Sequence, residues 1–282
     1  MNTMWFSPAK INLFLYITNV RKDGYHNIQT LFQLLNYGDT IYITPNNSGK
    51  IKLLTHMPHI SYSQNTMIHA AKLLKRKAQY LINHSLPLGV NISIKKNIPI
   101  GGGLGGGSSN AATILLVLNK LWNIKFKLST LIKLGEQIGS DVPVFITGKT
   151  SIAEGTGNIL YPIKTKKKWY LISYPKIKIS TKKVFSHPKL KRNSKKKCIT
   201  LLLKMPFKND CEQLITKKFR KIKNLITWLS KYAPSRITGT GSCVFSEFNS
   251  KQDANKILSI LPSNIFGFIT SSTNTSMLYR QL

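Results

Sequence analysis

Carboxylates are scarce in this sequence: nine Asp and Glu stand among 282 residues. Any chemistry that needs a carboxylate base must draw on Asp23, Asp39, Glu136, Asp141, Glu154, Asp210, Glu212, Glu247 or Asp253. Cysteine is scarce too. Cys198, Cys211 and Cys243 form no Cys-x-x-Cys pair, and so odd and sparse a set makes neither a disulfide framework nor a zinc site. A reducing cytoplasm is the expected compartment. No apolar run approaches the roughly 18 residues that a membrane-spanning helix needs. The first ten residues hold no apolar stretch of signal-peptide length, so neither membrane insertion nor export is expected.

Arginine is the third scarcity. Six of the 42 basic residues are arginine (Arg21, Arg76, Arg192, Arg220, Arg236 and Arg280) and the rest are lysine, with Ile and Asn also abundant, as A+T-rich codon usage produces. The formal charge is +33, which would ordinarily put nucleic acid or an anionic membrane first among partners. Nucleic-acid readers depend on the bidentate fork of arginine, which a lysine surplus does not supply. The charge therefore argues for attraction to phosphorylated ligands and for salt-sensitive, nonspecific binding to polyanions, with no specific nucleic acid and no membrane as partner.

What is present is an ample apolar fraction, 42%, enough for one large domain or two modest ones. From Ile11 to Ile17 apolar residues alternate as in a strand with one face on a core. Gly24 marks a turn, and apolar residues resume through Leu35 up to a break at Tyr37-Gly38-Asp39. Asn65 suits the N-cap of a helix that repeats Ile68, Ala71, Leu74 and Ala78 at helical spacing. Val90, Ile92 and Ile94 alternate again and lead into a glycine run. Beyond it, Ser108 or Ser109 is expected to cap a well-buried helix.

After about residue 150 the pattern restarts. A strand is expected around Trp169 to Ser173, then a lysine-dense, loop-rich stretch from Lys176 to Lys197. One long helix is expected to carry Leu214, Ile215, Ile222, Leu225, Ile226 and Leu229. A second begins at the capping pattern Ser250-x-x-Asp253, flanked by strands at Cys243 to Phe248 and Ile265 to Thr270. The order favours an α+β fold with mostly antiparallel sheet, divided into residues 1–150 and 151–282. Neither repeats nor a disordered tail are apparent.

The run from Pro99 to Ser109 holds six glycines in the seven positions Gly101 to Gly107, directly before a helix. Glycine accepts positive φ and close backbone approach, and a helix start offers unpaired N–H groups, so a polyphosphate fits there. A Walker loop would end in Gly-Lys-Ser or Gly-Lys-Thr, whereas this one ends in Gly-Ser-Ser. Gly101-x-Gly103-x-x-Gly106 matches the dinucleotide fingerprint literally, but the acid it requires about 20 residues onward is missing. A protein-kinase loop lies between strands, and no catalytic or metal-binding kinase motif follows.

The run resembles the second motif of the GHMP kinases, Pro-x-Gly-x-Gly-Leu-Gly-x-Gly-Ser-Ser. Ser7 to Leu13 and Ile237 to Phe245 resemble the family's first and third motifs, in the correct order. Residues 8–15 (PAKINLFL), 23–33 (DGYHNIQTLFQ) and 139–145 (GSDVPVF) look like the members whose acceptor carries a cytidine diphosphate. The resemblance spans nearly the whole chain and is loosest between about 175 and 230. It implies an N-terminal ATP-binding domain like ribosomal protein S5 and a ferredoxin-like substrate-side domain. The implied activity moves the terminal phosphoryl group of ATP onto a hydroxyl of a small molecule.

On that resemblance Asp141 is the catalytic acid–base group; the residues alone leave a helix cap equally open. Lys10 is implied beside it, where its charge would complement the carboxylate and orient the acceptor hydroxyl, with Asn12 bonding the acceptor. Tyr25, His26 and Phe185 are implied to sandwich and read the cytosine. Pro99, Gly101, Gly102, Gly103, Leu104, Gly105, Gly106, Gly107, Ser108 and Ser109 are implied around the phosphates of ATP, and Asn65 and Lys96 near its adenine. Gly239 would bring backbone close to acceptor or phosphate, although its spacing suits a hairpin turn equally. No metal-ligand cluster is apparent, so any metal is expected as Mg²⁺ arriving with ATP, with Ser108 or Ser109 as a ligand. A monomer or weak homodimer is expected.

Overall fold

A computed structural model describes residues 3–58, 60–81 and 87–282. Two long strands open the chain, β1 (Met4–Val20) and β2 (His26–Asn46), paired antiparallel along most of their length. The expected break at Tyr37-Gly38-Asp39 is not one: β2 runs straight through it. The irregularity is a bulge in the pairing, between the partners of Pro8 and Lys10, with Gly38 pressed against the Ser7 carbonyl where no side chain would fit. Nor does β1 have one wet face, since Phe14 and Tyr16 are buried along with Ile11 and Ile17; Phe207 packs on Phe14.

A short β3 (Ile51–Leu53) crosses through α1 (Thr66–Leu81) to β4 (Gly89–Lys95), which lies parallel to it and antiparallel to β2. Asn65 caps α1 as expected, its Oδ1 accepting from Met67 N at 2.9 Å. The next helix, α2 (Gly106–Leu121), starts two residues before Ser108, and its N-cap is Gly105 with φ +73°. Neither serine caps it, because the turn is made by a left-handed glycine and Ser109 spends its hydroxyl on Ser7 at 2.9 Å. With α3 (Leu128–Glu136) and α4 (Val142–Thr147), these helices close a core against β2 and β4 built around Ile41, Ile43, Leu74, Ile114, Leu118 and Phe145. Full burial of side chains of this size stabilises by about 1.5–3 kcal/mol each.

A hairpin of β5 (Ser151–Glu154) and β6 (Ile159–Pro162) pairs onto β2. Then come β7 (Trp169–Tyr174), α5 (Thr181–Phe185), α6 (Ile199–Lys204), α7 (Glu212–Lys218) and α8 (Arg220–Leu229). The single long helix expected here is broken at Phe219, whose φ of −122° and ψ of +89° lie outside helical geometry. The chain ends with β8 (Ser235–Ile237), β9 (Val244–Phe248), α9 (Lys251–Ser259) and β10 (Phe266–Thr273). Ser250 caps α9 through Asp253 N at 3.0 Å. Ser272 and Thr273 of β10 pair with Leu35 and Leu34 of β2, while the rest of β10 pairs with β7. That junction makes one mostly antiparallel sheet in the order β3-β4-β2-β10-β7-β9-β8, and with the helices packed on it the fold is α+β. Ile98, just before the glycine run, and Leu104, in its middle, pack with Ile11, Cys243 and Phe245, which fixes the run against both halves.

Candidate active site

The glycine run edges a cavity of about 990 Å³ that reaches from Asn65 and Lys96 to the tip of the β1–β2 hairpin. Its wall contains Lys10, Asn12, Tyr25, His26, Asn65, Lys96, Pro99, Gly101 to Ser108, Asp141, Phe185 and Gly239. Of the residues singled out from sequence, Ser109 alone is outside that wall, buried and turned towards Ser7.

Glycine is required here in two ways. Gly103 has φ +81°, and a Cβ on it would overlap the Thr238 carbonyl and lie 3.0 Å from that of Gly241, so the run is clamped directly against the 238–241 loop. Gly105 has φ +73°, and a Cβ there would press on the Phe145 ring at 2.8 Å and on Lys10 Cε at 3.0 Å. The amino end of α2 is thereby left facing the cavity, where unpaired N–H groups and the helix dipole favour an anion. Lys96 Nζ reaches the same region from the residue after β4. It is held by Asp39 Oδ2 at 2.5 Å, and Asp39 also accepts from the backbone N–H of Asn97 and Ile98 and from Asn110 Nδ2. Asp39 is fully buried, so one carboxylate ties the loop before the glycine run to the helix after it.

Lys10 is 3% exposed, yet its ammonium is fully partnered. Nζ donates to Asn12 Oδ1 at 2.6 Å and to the Gly103 carbonyl at 3.1 Å, and stands 3.1 Å from Asp141 Oδ2. Asn12 is oriented in turn by Nδ2–H donated to Thr30 Oγ1 at 2.8 Å. Gly239 adjoins this group: a Cβ on it would come 3.2 Å from Asn12 Oδ1. Asp141 occupies the residue before α4, but its side chain makes no capping bond, and among the described residues no protein donor reaches its Oδ1. The carboxylate thus faces the cavity with one oxygen on a cation and one open, which suits proton transfer from a bound hydroxyl.

At the far end the hairpin turn is shaped by Asp23, which accepts from Tyr25 N at 3.1 Å and pairs with Arg21. Tyr25 is left 65% exposed, with its ring unsupported by a core. His26 and Phe185 come together with ring centroids 5.1 Å apart and planes inclined at 56°. Burial, and then the charge of Arg192, push the His26 imidazole below its ordinary range. Three rings thus gather on one stretch of the cavity wall, and aromatic faces suit a flat ring. Sequence reading missed three contributors here: Arg192, and Thr181 and Thr240, whose hydroxyls meet at 3.1 Å in the wall. Thr240 stands inside the Ile237 to Phe245 motif, where the glycines drew the attention, whereas Arg192 and Thr181 lie in the loosest part of the resemblance.

The pattern that defines the GHMP kinases N terminal domain matches residues 65–149, and that of the GHMP kinases C terminal domain matches residues 190–265. The chain is 57% identical to a 4-diphosphocytidyl-2-C-methyl-D-erythritol kinase of Buchnera aphidicola subsp. Schizaphis graminum, over 99% of this chain and 96% of that protein. It is 58% identical to the kinase of the same name from B. aphidicola subsp. Acyrthosiphon pisum, over 98% and 97%. A crystal structure of a 4-(cytidine 5'-diphospho)-2C-methyl-D-erythritol kinase superimposes with a TM-score of 0.82 at 26% identity, covering 95% of this chain and 98% of that one.

Proposed function

Because the chain belongs to the GHMP kinase family and is a small-molecule kinase, we propose that it phosphorylates the 2-hydroxyl of 4-diphosphocytidyl-2-C-methyl-D-erythritol with ATP. This is a cytoplasmic step of the non-mevalonate route to isoprenoid precursors. Full-length identity of 57% to a protein of that name supports the substrate. The observation that carries the chemistry is the Lys10–Asp141 pair, opening on the same cavity as the glycine run and the Tyr25, His26 and Phe185 cluster.

In this reading residues 1–150 supply the ATP side and residues 151–282 close over the acceptor. The phosphates lie along Gly101 to Gly107 at the amino end of α2, and adenine lies towards Asn65 and Lys96. Cytosine lies between Tyr25 and Phe185 and is read by His26. The acceptor hydroxyl sits between Asn12 and Asp141. As its oxygen attacks the γ-phosphorus, the bond from that phosphorus to the bridging oxygen of ADP breaks and the hydroxyl proton passes to Asp141 Oδ1. Lys10 holds the carboxylate in place and sets a positive charge beside the transferred group, so positioning and charge do most of the work.

No group of three or more His, Cys, Asp or Glu among the described residues could hold a metal by itself. The Ser108 hydroxyl in the wall suits Mg²⁺ that arrives already bound to phosphate. Of the two serines, Ser108 is free to serve it, since Ser109 bonds Ser7. When bound, the ion would neutralise phosphate charge.

The test is ATP consumption with Mg²⁺ by the purified protein, offered the cytidine compound beside mevalonate, homoserine and galactose. Turnover confined to the cytidine compound is expected. Turnover of another acceptor instead would keep the kinase and discard Tyr25, His26 and Phe185 as base readers.

A further inference from the structure

The lysine-rich stretch that carries Phe185 contains one arginine, and it bonds both the His26 ring and the Phe185 backbone. Arg192 Nε donates to His26 Nε2 at 3.0 Å. Arg192 Nη2 donates to the Phe185 carbonyl at 2.9 Å and the His187 carbonyl at 2.7 Å. The segment around it is pinned to the sheet. Ser194 bonds the Ile17 carbonyl through its N–H at 3.0 Å and Asp210 Oδ2 through its hydroxyl at 2.7 Å. Gln29 exchanges two hydrogen bonds with the Lys197 backbone, at 2.8 and 3.0 Å. Arg192 therefore meets His26 from a fixed platform.

A guanidinium donates through every nitrogen and accepts through none, so the contact requires His26 Nε2 to be the unprotonated acceptor. A neutral imidazole in that contact carries its proton on Nδ1. Among the described residues no protein group bonds Nδ1, and the ring lines the cavity.

We infer that Arg192 is a specificity-determining positioning residue, which holds His26 as the neutral Nδ1–H tautomer and fixes the Phe185 backbone beside it. The ring then presents a donor to the incoming base. Cytosine offers an acceptor at N3, whereas uracil has an N–H there and would set donor against donor. The slot so built selects a cytidine-linked over a uridine-linked acceptor. The inference rests on the proposed reading of His26 as a base reader.

Histidine-selective ¹⁵N NMR of the ligand-free protein tests the tautomer without any substrate. Wild type and Arg192→Lys, which keeps a cationic donor, are expected to show His26 protonated at Nδ1, and Arg192→Met to shift it towards Nε2. In kinetics, Arg192→Met is expected to raise KM for the cytidine acceptor about 10-fold, with kcat and KM for ATP changed less than about 2-fold. The preference for the cytidine over the uridine compound should shrink by a similar factor. In a His26→Ala background the same substitution should add little. A wild-type His26 protonated at Nε2 overturns the inference even if Arg192→Met folds poorly, and so does Arg192→Met with unchanged tautomer and unchanged base preference. A protein that turned over no cytidine compound would instead refute the functional reading and the base selection with it, leaving the tautomer to the NMR result alone.

Discussion

Lys10 and Asp141 meet at 3.1 Å, one from the middle of a buried strand and the other at the head of a six-residue helix. A buried ammonium is costly unless it is partnered, and Lys10 donates hydrogen bonds to Asn12 and Gly103 and pairs with the Asp141 carboxylate. Each of those partners belongs to a different part of the site: the first strand, the glycine run and the proposed base. One cation thus sets the spacing among the three. The glycine at 105 is what lets it through, since a Cβ there would lie 3.0 Å from Lys10 Cε.

Tyr25 supplies no core. Being 65% exposed at a hairpin tip, its ring is available for a base and not needed for folding. Tyr25→Ala should leave stability within about 0.5 kcal/mol of wild type, as surface changes do. Loss of stacking, about 1–3 kcal/mol per base, should raise KM for the cytidine compound about 10-fold or more. Urea unfolding and steady-state kinetics on one preparation check both halves.

Gly103→Ala should do the reverse and harm fold and site together. The residue has φ +81° and its missing Cβ faces the Thr238 carbonyl. Strain of about 1–3 kcal/mol is expected from the dihedral alone. The loop must also move off the 238–241 turn, so KM for ATP should rise. Urea denaturation and nucleotide titration read the two effects.

Asp39 marks how far the site was legible in the sequence. The glycine run before a helix, the Asn65 cap and the Ser250 cap are local patterns, visible because their partners lie within a few residues. Asp39 looked like part of a break. Its meaning comes from Lys96, Asn97, Ile98 and Asn110, which the chain brings back only when β4 pairs with β2. Arg192 is similarly hidden, since its partner His26 lies 166 residues away in the sequence. The helix start at Gly106 was misplaced for a related reason: whether a serine caps a helix or bonds a distant strand, as Ser109 does with Ser7, is decided by packing.

From that network, Asp39→Asn should cost about 3–5 kcal/mol, the usual result of removing one member of a buried ion pair. The new amide also points N–H groups at donors it cannot serve. KM for ATP should rise with it, because Lys96 loses its anchor. A variant as stable as wild type in urea would show that Asp39 anchors nothing.

His26 gives a pH prediction. Burial first and Arg192 second depress its folded-state value below the ordinary 6.5. The folded protein thus disfavours the imidazolium, and the stability this contributes is present above about 6.5 and lost as pH falls through the folded value. The NMR titration midpoint of His26 should lie below 6.5, with KM for the cytidine compound flat down to that pH. A midpoint above 6.5 would contradict the environment described.

The central claim is that Asp141 takes the hydroxyl proton while the glycine run holds ATP independently of it, and Asp141→Asn separates the two most directly. The substitution keeps the shape of the side chain and removes its basicity. We predict that kcat falls by about 100-fold or more while ATP affinity, measured calorimetrically, stays within about 2-fold of wild type. A variant whose kcat remains within a few-fold of wild type would contradict the account.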